Sequence, residues 1–135
     1  MFLFLRKGGE GFLRRVYVYC TEDGRAPVLR FIHDAGIKFR KKFDFLIRYI
    51  SDEKNNLYEP YVKHFAIERY KKLYELRLRS DGVMIRIIFY LTEDEDAILL
   101  YAFYKKDKRD TERALEYALK LVDSLNIRFL KLYEI

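Results

Sequence analysis

The stretch that decides the fold is LYELRLRSDGVMIRIIFYL, residues 73–91, which has the pattern of two β-strands joined by a tight turn. Apolar and charged side chains alternate before the turn, and β-branched and aromatic residues dominate after it, as in half-buried strands. Asp81 and Gly82 between two such segments are a strong signal for a two-residue hairpin turn. With that turn, Leu78 falls opposite Ile85, and we expect both to face a core.

The same register places Arg77 directly opposite Arg86 on the other face of the hairpin. Like charges opposite each other destabilise a sheet, and an unpaired buried ion costs several kcal/mol. We therefore hypothesise that an anion such as a phosphate docks between these two arginines. The alternative for Arg77 and its neighbour Arg79 is a solvated face, on which Glu75 and water satisfy them.

The segments on either side of the hairpin complete an α+β pattern. The predicted elements, in chain order, are a strand at 14–20, helices at 27–35 and 37–50, strands at 73–79, 83–91 and 97–106, and a helix from Asp110 or Thr111 to about residue 125. Residues 61–70 have no clear period. An order of strand, two helices, three antiparallel strands and a helix predicts helices packed against one sheet.

The two ends of the chain are the least informative segments. Residues 1–13 contain three glycines and fit either an extension or an extra edge strand. Residues 126–135 are apolar enough that we expect them to pack on the body of the protein.

Composition limits the class of protein. The chain has 135 residues, half of them hydrophobic, which predicts one domain with a single core. Lys and Arg number 27 against 21 Asp and Glu, and the net charge of +6 favours an anionic partner such as nucleic acid or an acidic protein. One thiol and two histidines are a poor set for structural zinc, and we expect no metal or cofactor. The apolar opening MFLFL is too short for a membrane span, and we expect a cytoplasmic protein.

The third strand is expected to bring further basic groups to the arginines. If the acidic loop 92–96 preserves the alternation, Tyr104 and Lys106 share the face of Arg86, whereas a slip of one residue puts Lys105 there instead. Arginine forks and lysine ammonium groups both suit phosphate. Other candidates for RNA contact, one of them a tyrosine that can stack on a base, are Arg79, Lys71, Lys72 and Tyr90.

The second helix carries bases off its apolar stripe, namely Lys38, Lys41, Lys42 and Arg48. We interpret them as a solvated face in preference to a binding face.

Three ordered segments resemble the RelE/HigB superfamily of type II toxins, closest to its phage-derived, HigB-like branch. They are YCTEDGRAPVLRFIHDA (19–35), KKLYELRLRSDGVMIRIIFY (71–90) and AFYKK (102–106); the shorter PYVKHF (60–65) lies between the first two, and a predicted helix follows the last. The resemblance implies a ribosome-dependent endoribonuclease that cleaves mRNA without a metal, leaves a 2′,3′-cyclic phosphate, and is silenced by a small antitoxin protein.

The resemblance also implies roles for particular residues. Arg86 matches the arginine that would stabilise the phosphorane, and Arg77 the one that would hold the scissile phosphate. Lys105 and Lys106 match the basic strand end that serves the leaving group, and Tyr104 is a candidate proton shuttle.

Two other functions remain open on the same fold. A ParE-like inhibitor of DNA gyrase would bind without catalysis, although that branch usually lacks the basic set found here. A nuclease-inactive binding module is the other, because residues 1–13 and 126–135 have no clear counterpart in the family, and an added C-terminal segment could cover the site or mark a member that has lost its activity. The link KDKRDTER (106–113) also lacks the proline usual in HigB-like members.

Overall fold

The computed structural model describes residues 13–52, 54–57, 59–125 and 130–133, and within them six strands form one sheet that carries three helices. The elements are β1 (Val16–Tyr19), α1 (Pro27–Ala35), α2 (Ile37–Ser51), β2 (Val62–His64), β3 (Leu73–Ser80), β4 (Val83–Leu91), β5 (Ala97–Tyr104), α3 (Lys108–Asp123) and β6 (Leu130–Leu132). The predicted α+β fold with helices packed on one sheet is confirmed.

The hairpin of β3 and β4 forms with the predicted turn and register. Asp81 and Gly82 have φ angles of 51° and 80°, the left-handed conformation that a two-residue turn requires to match the twist of its strands. Leu78 pairs with Ile85, and both side chains are fully buried.

Helices cover both faces of the sheet. Alternate side chains such as Leu78 and Ile87 pack under α1 and α2, and we call this the α2 face. Ile88 and Leu100 pack under α3, on what we call the α3 face. Since successive residues of a strand point to opposite sides, Arg86 projects on the α3 face.

The order of the strands is β2-β3-β4-β5-β1-β6, with β1 parallel to β5 and the other neighbours antiparallel. β2 lies in the segment that had no clear period, because three residues are too few to show an alternation. A single 3-10 turn, Glu68–Tyr70, follows it. In the described part of the chain, no helix is long and apolar enough to cross a lipid bilayer.

The start of α3 differs from the prediction. Its N-terminal cap is Asp107 rather than the predicted Asp110 or Thr111. The Asp107 carboxylate accepts a hydrogen bond from the backbone N–H of Arg109 at 2.8 Å, and Asp110 accepts one from the N–H of Asp107 at 3.0 Å. This reciprocal capping box leaves both aspartates bound to backbone donors, so the helix begins earlier than predicted.

The C-terminal segment packs on the body of the protein as predicted, as far as it is described. β6 pairs with β1, and the Tyr133 hydroxyl donates a hydrogen bond to the Asp44 carboxylate in α2 at 2.8 Å. Residues 1–12, 126–129 and 134–135, on which the remaining predictions for the chain ends fall, lie outside the described residues.

Candidate functional site

Arg77 and Arg86 face each other on the α3 face, and a buried carboxylate lies between them. Glu75 precedes Arg77 by two residues and therefore shares its face. Its Oε1 lies 3.3 Å from the Nε of Arg77 and 3.6 Å from the Nε of Arg86. Glu75 is fully buried and Arg86 is 8% exposed. The fold itself thus supplies the partner that a buried arginine requires.

The hypothesis that a docked anion such as a phosphate neutralises the two arginines is therefore wrong in that the Glu75 carboxylate already contacts both. The alternative proposed for Arg77, in which Glu75 satisfies it, holds and extends to Arg86. One buried carboxylate still faces two guanidinium groups, so one positive charge remains uncompensated at this point. Arg77 also lies 3.3 Å from Glu59, but the Glu59 side chain is 66% exposed, and water and salt screen such a pair.

The Arg86 guanidinium makes only long contacts. Its Nη1 donates to the Ile85 carbonyl at 3.4 Å and its Nη2 approaches the Met84 sulfur at 3.5 Å. Its Nε has no hydrogen-bond partner in the described part of the chain. Burial lowers the pKa of Arg86 from its ordinary value, while the Glu75 carboxylate opposes that shift. The donors of this group are charged and only weakly bonded, which leaves them hydrogen-bonding capacity for an anion.

The third strand does not place Tyr104 and Lys106 as predicted. A β-bulge changes the pairing from Ile88 with Tyr101 to Phe89 with Leu99, which leaves one extra residue in β5 and reverses the alternation beyond it.

As a result, Phe103 lies opposite Arg86, and Tyr104 and Lys106 do not. Tyr104 pairs with Ile85 on the α2 face and packs against Phe31 of α1, with ring centroids 4.9 Å apart. Lys105, the predicted alternative to Lys106, donates its backbone N–H to the Met84 carbonyl at 2.9 Å and continues the alternation on the α3 face.

Lys106 lies beyond this last ladder bond. Its backbone N–H is held by the Asp110 carboxylate at 2.8 Å, as part of the start of α3.

The four candidates for RNA contact divide between two places. Arg79 is exposed beside the arginine pair, and its Nη2 lies 3.1 Å from the Met84 sulfur. Lys71, Lys72 and Tyr90 line a separate cavity of about 210 Å³ against α3. Tyr90 is four residues from Arg86 along β4, about 13 Å at the usual strand rise. The structure therefore brings these three residues together but away from the arginines.

An open cavity of about 610 Å³ borders the arginines. It is lined by Lys41, Lys42, Phe45, Leu46, Pro60, Tyr61, Arg77, Leu78, Arg79 and Arg86. The contributions of α2 and of the residues before β2 are absent from the predicted site, because segments about 20 to 40 residues apart in sequence meet only in the folded chain. Glu75 had a sequence signal, since an acid two residues before Arg77 in a strand shares its face.

No group of three or more His, Cys, Asp or Glu side chains is placed to hold a metal ion in the ranges that the structure describes. Cys20 is buried, and burial raises the pKa of that thiol.

The comparisons with known proteins give a match to one family model. No curated protein matches the chain. The family described as "Phage derived protein Gp49-like (DUF891)" matches residues 30–123, well over half of the sequence. The matched range includes α2, the whole β3–β4–β5 meander with Arg77, Arg79 and Arg86, and all of α3. The chain belongs to the phage-derived Gp49-like family, a RelE/HigB-like family of toxin type.

Proposed function

We propose that the chain is the toxin of a toxin–antitoxin pair, a cytoplasmic endoribonuclease that cleaves mRNA on the ribosome and is silenced by a cognate antitoxin protein. The observation that carries this proposal is the arrangement of Arg77 and Arg86. They lie side by side with more positive charge than Glu75 neutralises, at the wall of an open cavity.

The reaction that fits these residues is attack of an RNA 2′-hydroxyl on the adjacent phosphate. A bond forms between the 2′-oxygen and phosphorus, and the bond from phosphorus to the 5′-oxygen breaks. The 2′-hydroxyl loses a proton, the 5′-oxygen gains one, and the products are a 2′,3′-cyclic phosphate and a free 5′-hydroxyl. The protein has to align the attack and stabilise the charge that grows on the phosphorane oxygens.

Glu75 is a positioning residue in this proposal. It contacts the Nε atoms of Arg77 and Arg86 and so restricts both side chains, while their terminal nitrogens have only long or exposed partners. Phosphate oxygens are stronger acceptors than a backbone carbonyl or a thioether, and they would displace those contacts. Arg86 then stabilises the phosphorane and Arg77 holds the scissile phosphate.

Lys105 is the lysine that we assign to the charge of the leaving oxygen, because it continues the strand alternation on the face of Arg86. Tyr104 has no part in this arrangement, since it lies on the opposite face of the sheet. Lys106 is exposed beyond the end of β5, and we assign the leaving-group role to Lys105 in preference to it.

The test is cleavage of a translated mRNA in a reconstituted system with ribosomes, read by mapping new 5′ ends. Removal of one preorganised charge at an oxyanion costs about 100- to 1000-fold in rate, and we expect that loss for Arg86→Ala. Arg86→Lys retains a cation for Glu75 but lacks the fork, so it separates catalysis from folding. Arg30→Ala, an exposed position in α1, is the matched control and should cleave normally.

Three results would contradict or redirect the proposal. Undiminished cleavage or growth arrest in Arg86→Ala would remove its basis. Inhibition of gyrase without RNA cleavage would support the ParE-like alternative, and tolerance of high-level expression would support a non-toxic binding module.

A further inference from the structure

Three aromatic side chains form a cluster on the exposed side of α2. The ring centroids of Phe45 and Tyr61 lie 5.4 Å apart, those of Tyr49 and Tyr61 5.1 Å, and those of Phe45 and Tyr49 6.3 Å. Tyr49 is half-buried, and its hydroxyl donates to the Asn56 carbonyl at 3.0 Å. Phe45 and Tyr61 are 47% and 38% exposed, so each retains ring surface for a partner.

These two exposed rings line the same cavity of about 610 Å³ as the arginines. Among the described residues that line it are five cations and no carboxylate. The volume lies in the range of sites that hold a drug-sized ligand, about 300–1000 Å³. The cavity wall therefore joins aromatic surface with a surplus of positive charge.

Lys41 and Lys42 extend this charge along α2. Both are exposed, and neither has an ion-pair partner within the ranges that the structure describes. Lys38, on the same helix, is by contrast paired with Asp81 at 3.0 Å. Bases on a purely solvated face need not lie near any particular feature of the protein. Lys41 and Lys42 instead border the cavity that is also lined by Arg77 and Arg86.

We propose that Lys41, Lys42, Phe45 and Tyr61 form a binding site for single-stranded RNA leading away from the scissile phosphate. A nucleobase stacks on the exposed rings, and the lysines contact backbone phosphates. Aromatic platforms beside a basic groove are the usual means of holding single strands without reading sequence. This inference rests on the proposed function for the identity of the ligand, and it replaces our interpretation of these two lysines as a solvated face.

The charge pattern favours RNA over a protein partner for this surface. An apolar peptide would supply no counter-charge to the exposed cations Lys41, Lys42 and Arg79. A polynucleotide supplies both an anionic backbone and flat rings, which matches both components of the cavity.

The test of the rings is binding of a labelled single-stranded RNA in which every sugar is 2′-O-methylated, followed by fluorescence anisotropy. This RNA lacks the attacking hydroxyl, so binding is measured apart from cleavage. Stacking on an aromatic side chain contributes about tenfold or more per base, and we expect about tenfold weaker binding for Phe45→Leu and for Tyr61→Leu. Tyr117→Leu is the matched control, because that ring is 46% exposed on α3 and should bind as the wild type does.

The test of the lysines is the salt dependence of the same binding. Each phosphate contact contributes about 0.7 to the slope of log K against log salt for a single strand. The double variant Lys41→Ala/Lys42→Ala should therefore lower the slope by about 1.4. Lys120→Ala, exposed on α3, should leave it unchanged.

The outcomes separate this inference from the proposed function. If the variants at Lys41, Lys42, Phe45 and Tyr61 bind RNA as the wild type does while Arg77→Ala binds weakly, the inference is overturned and the proposed function stands. If the wild-type protein does not bind the RNA, the inference is also overturned. If these four variants retain RNA binding but no longer bind the antitoxin, the surface is a protein interface and the inference is wrong. Melting temperatures within about 2 °C of the wild type exclude an effect of unfolding.

Discussion

Replacement of Glu75 by glutamine tests whether a buried carboxylate holds the arginine pair together. The substitution preserves the shape of the side chain and removes only its charge. The side chains of Glu75, Arg86 and Arg77 are 1%, 9% and 23% exposed, so the charge is removed from a poorly hydrated place. We expect a large loss of stability, because two guanidinium groups would then face each other with no buried anion.

The magnitude follows from the separations. At 3.3 and 3.6 Å, and at an effective dielectric constant of about 20, each contact corresponds to about 5 kcal/mol of attraction. The cost of burying the carboxylate, several kcal/mol, disappears at the same time. Removal of one partner of a buried pair costs about 3–5 kcal/mol in measured cases. We expect about 3 kcal/mol, because Arg77 is partly exposed to water, and a melting temperature lower by about 10 °C.

The assay is chemical denaturation of the wild type, Glu75→Gln, Arg86→Met and the double variant. Glu59→Gln is the matched control, since Glu59 pairs with the same Arg77 in an exposed position and its loss should cost less than about 1 kcal/mol. The double variant should be more stable than the sum of the two single changes predicts by at least about 1 kcal/mol, because it removes the unpaired charge. A Glu75→Gln protein as stable as the control, or a double variant with additive losses, would refute the reasoning.

Three further predictions concern stability and reactivity. Hydrogen bonds from Arg69 and Tyr70 lower the pKa of Glu116 to about 2, below its value in the unfolded chain, so this carboxylate stabilises the fold above about pH 4.5 and the effect is lost as the pH falls towards 2. The difference in unfolding free energy between the wild type and Glu116→Gln should accordingly shrink over that range, and a constant difference would contradict the prediction. Asp107→Ala removes the N-terminal cap of α3 and should cost about 1 kcal/mol in thermal or chemical denaturation, whereas an exposed change within the helix such as Glu112→Ala should cost less. Burial raises the pKa of the Cys20 thiol, so iodoacetamide at pH 8 should label it slowly in the native protein and rapidly after denaturation; equal rates would show that the thiol is accessible.

The hairpin shows how far the sequence could be interpreted. A two-residue turn with both residues at positive φ determines the register of every pair that follows it, so the pairing of Arg77 with Arg86 was predictable. The next strand was not predictable in the same way. The bulge opposite Ile88 and Phe89 adds a residue to β5, and no turn residue signals it. That one residue moves Tyr104 away from the arginines and leaves Lys105 on their face.

Local patterns in the sequence determined the α+β fold, the bounds of α1, the hairpin register and the shared face of Arg77 and Arg86, because each depends on neighbours a few residues apart. Only the tertiary structure decided that Glu75 is buried against Arg86 as well as Arg77, and what surrounds the arginines. The complete burial of Glu75, the bulge in β5, and the meeting of α2 with Tyr61 beside the arginines all result from packing between distant segments. Such packing depends on side-chain volume and burial across the whole core, which no local period encodes.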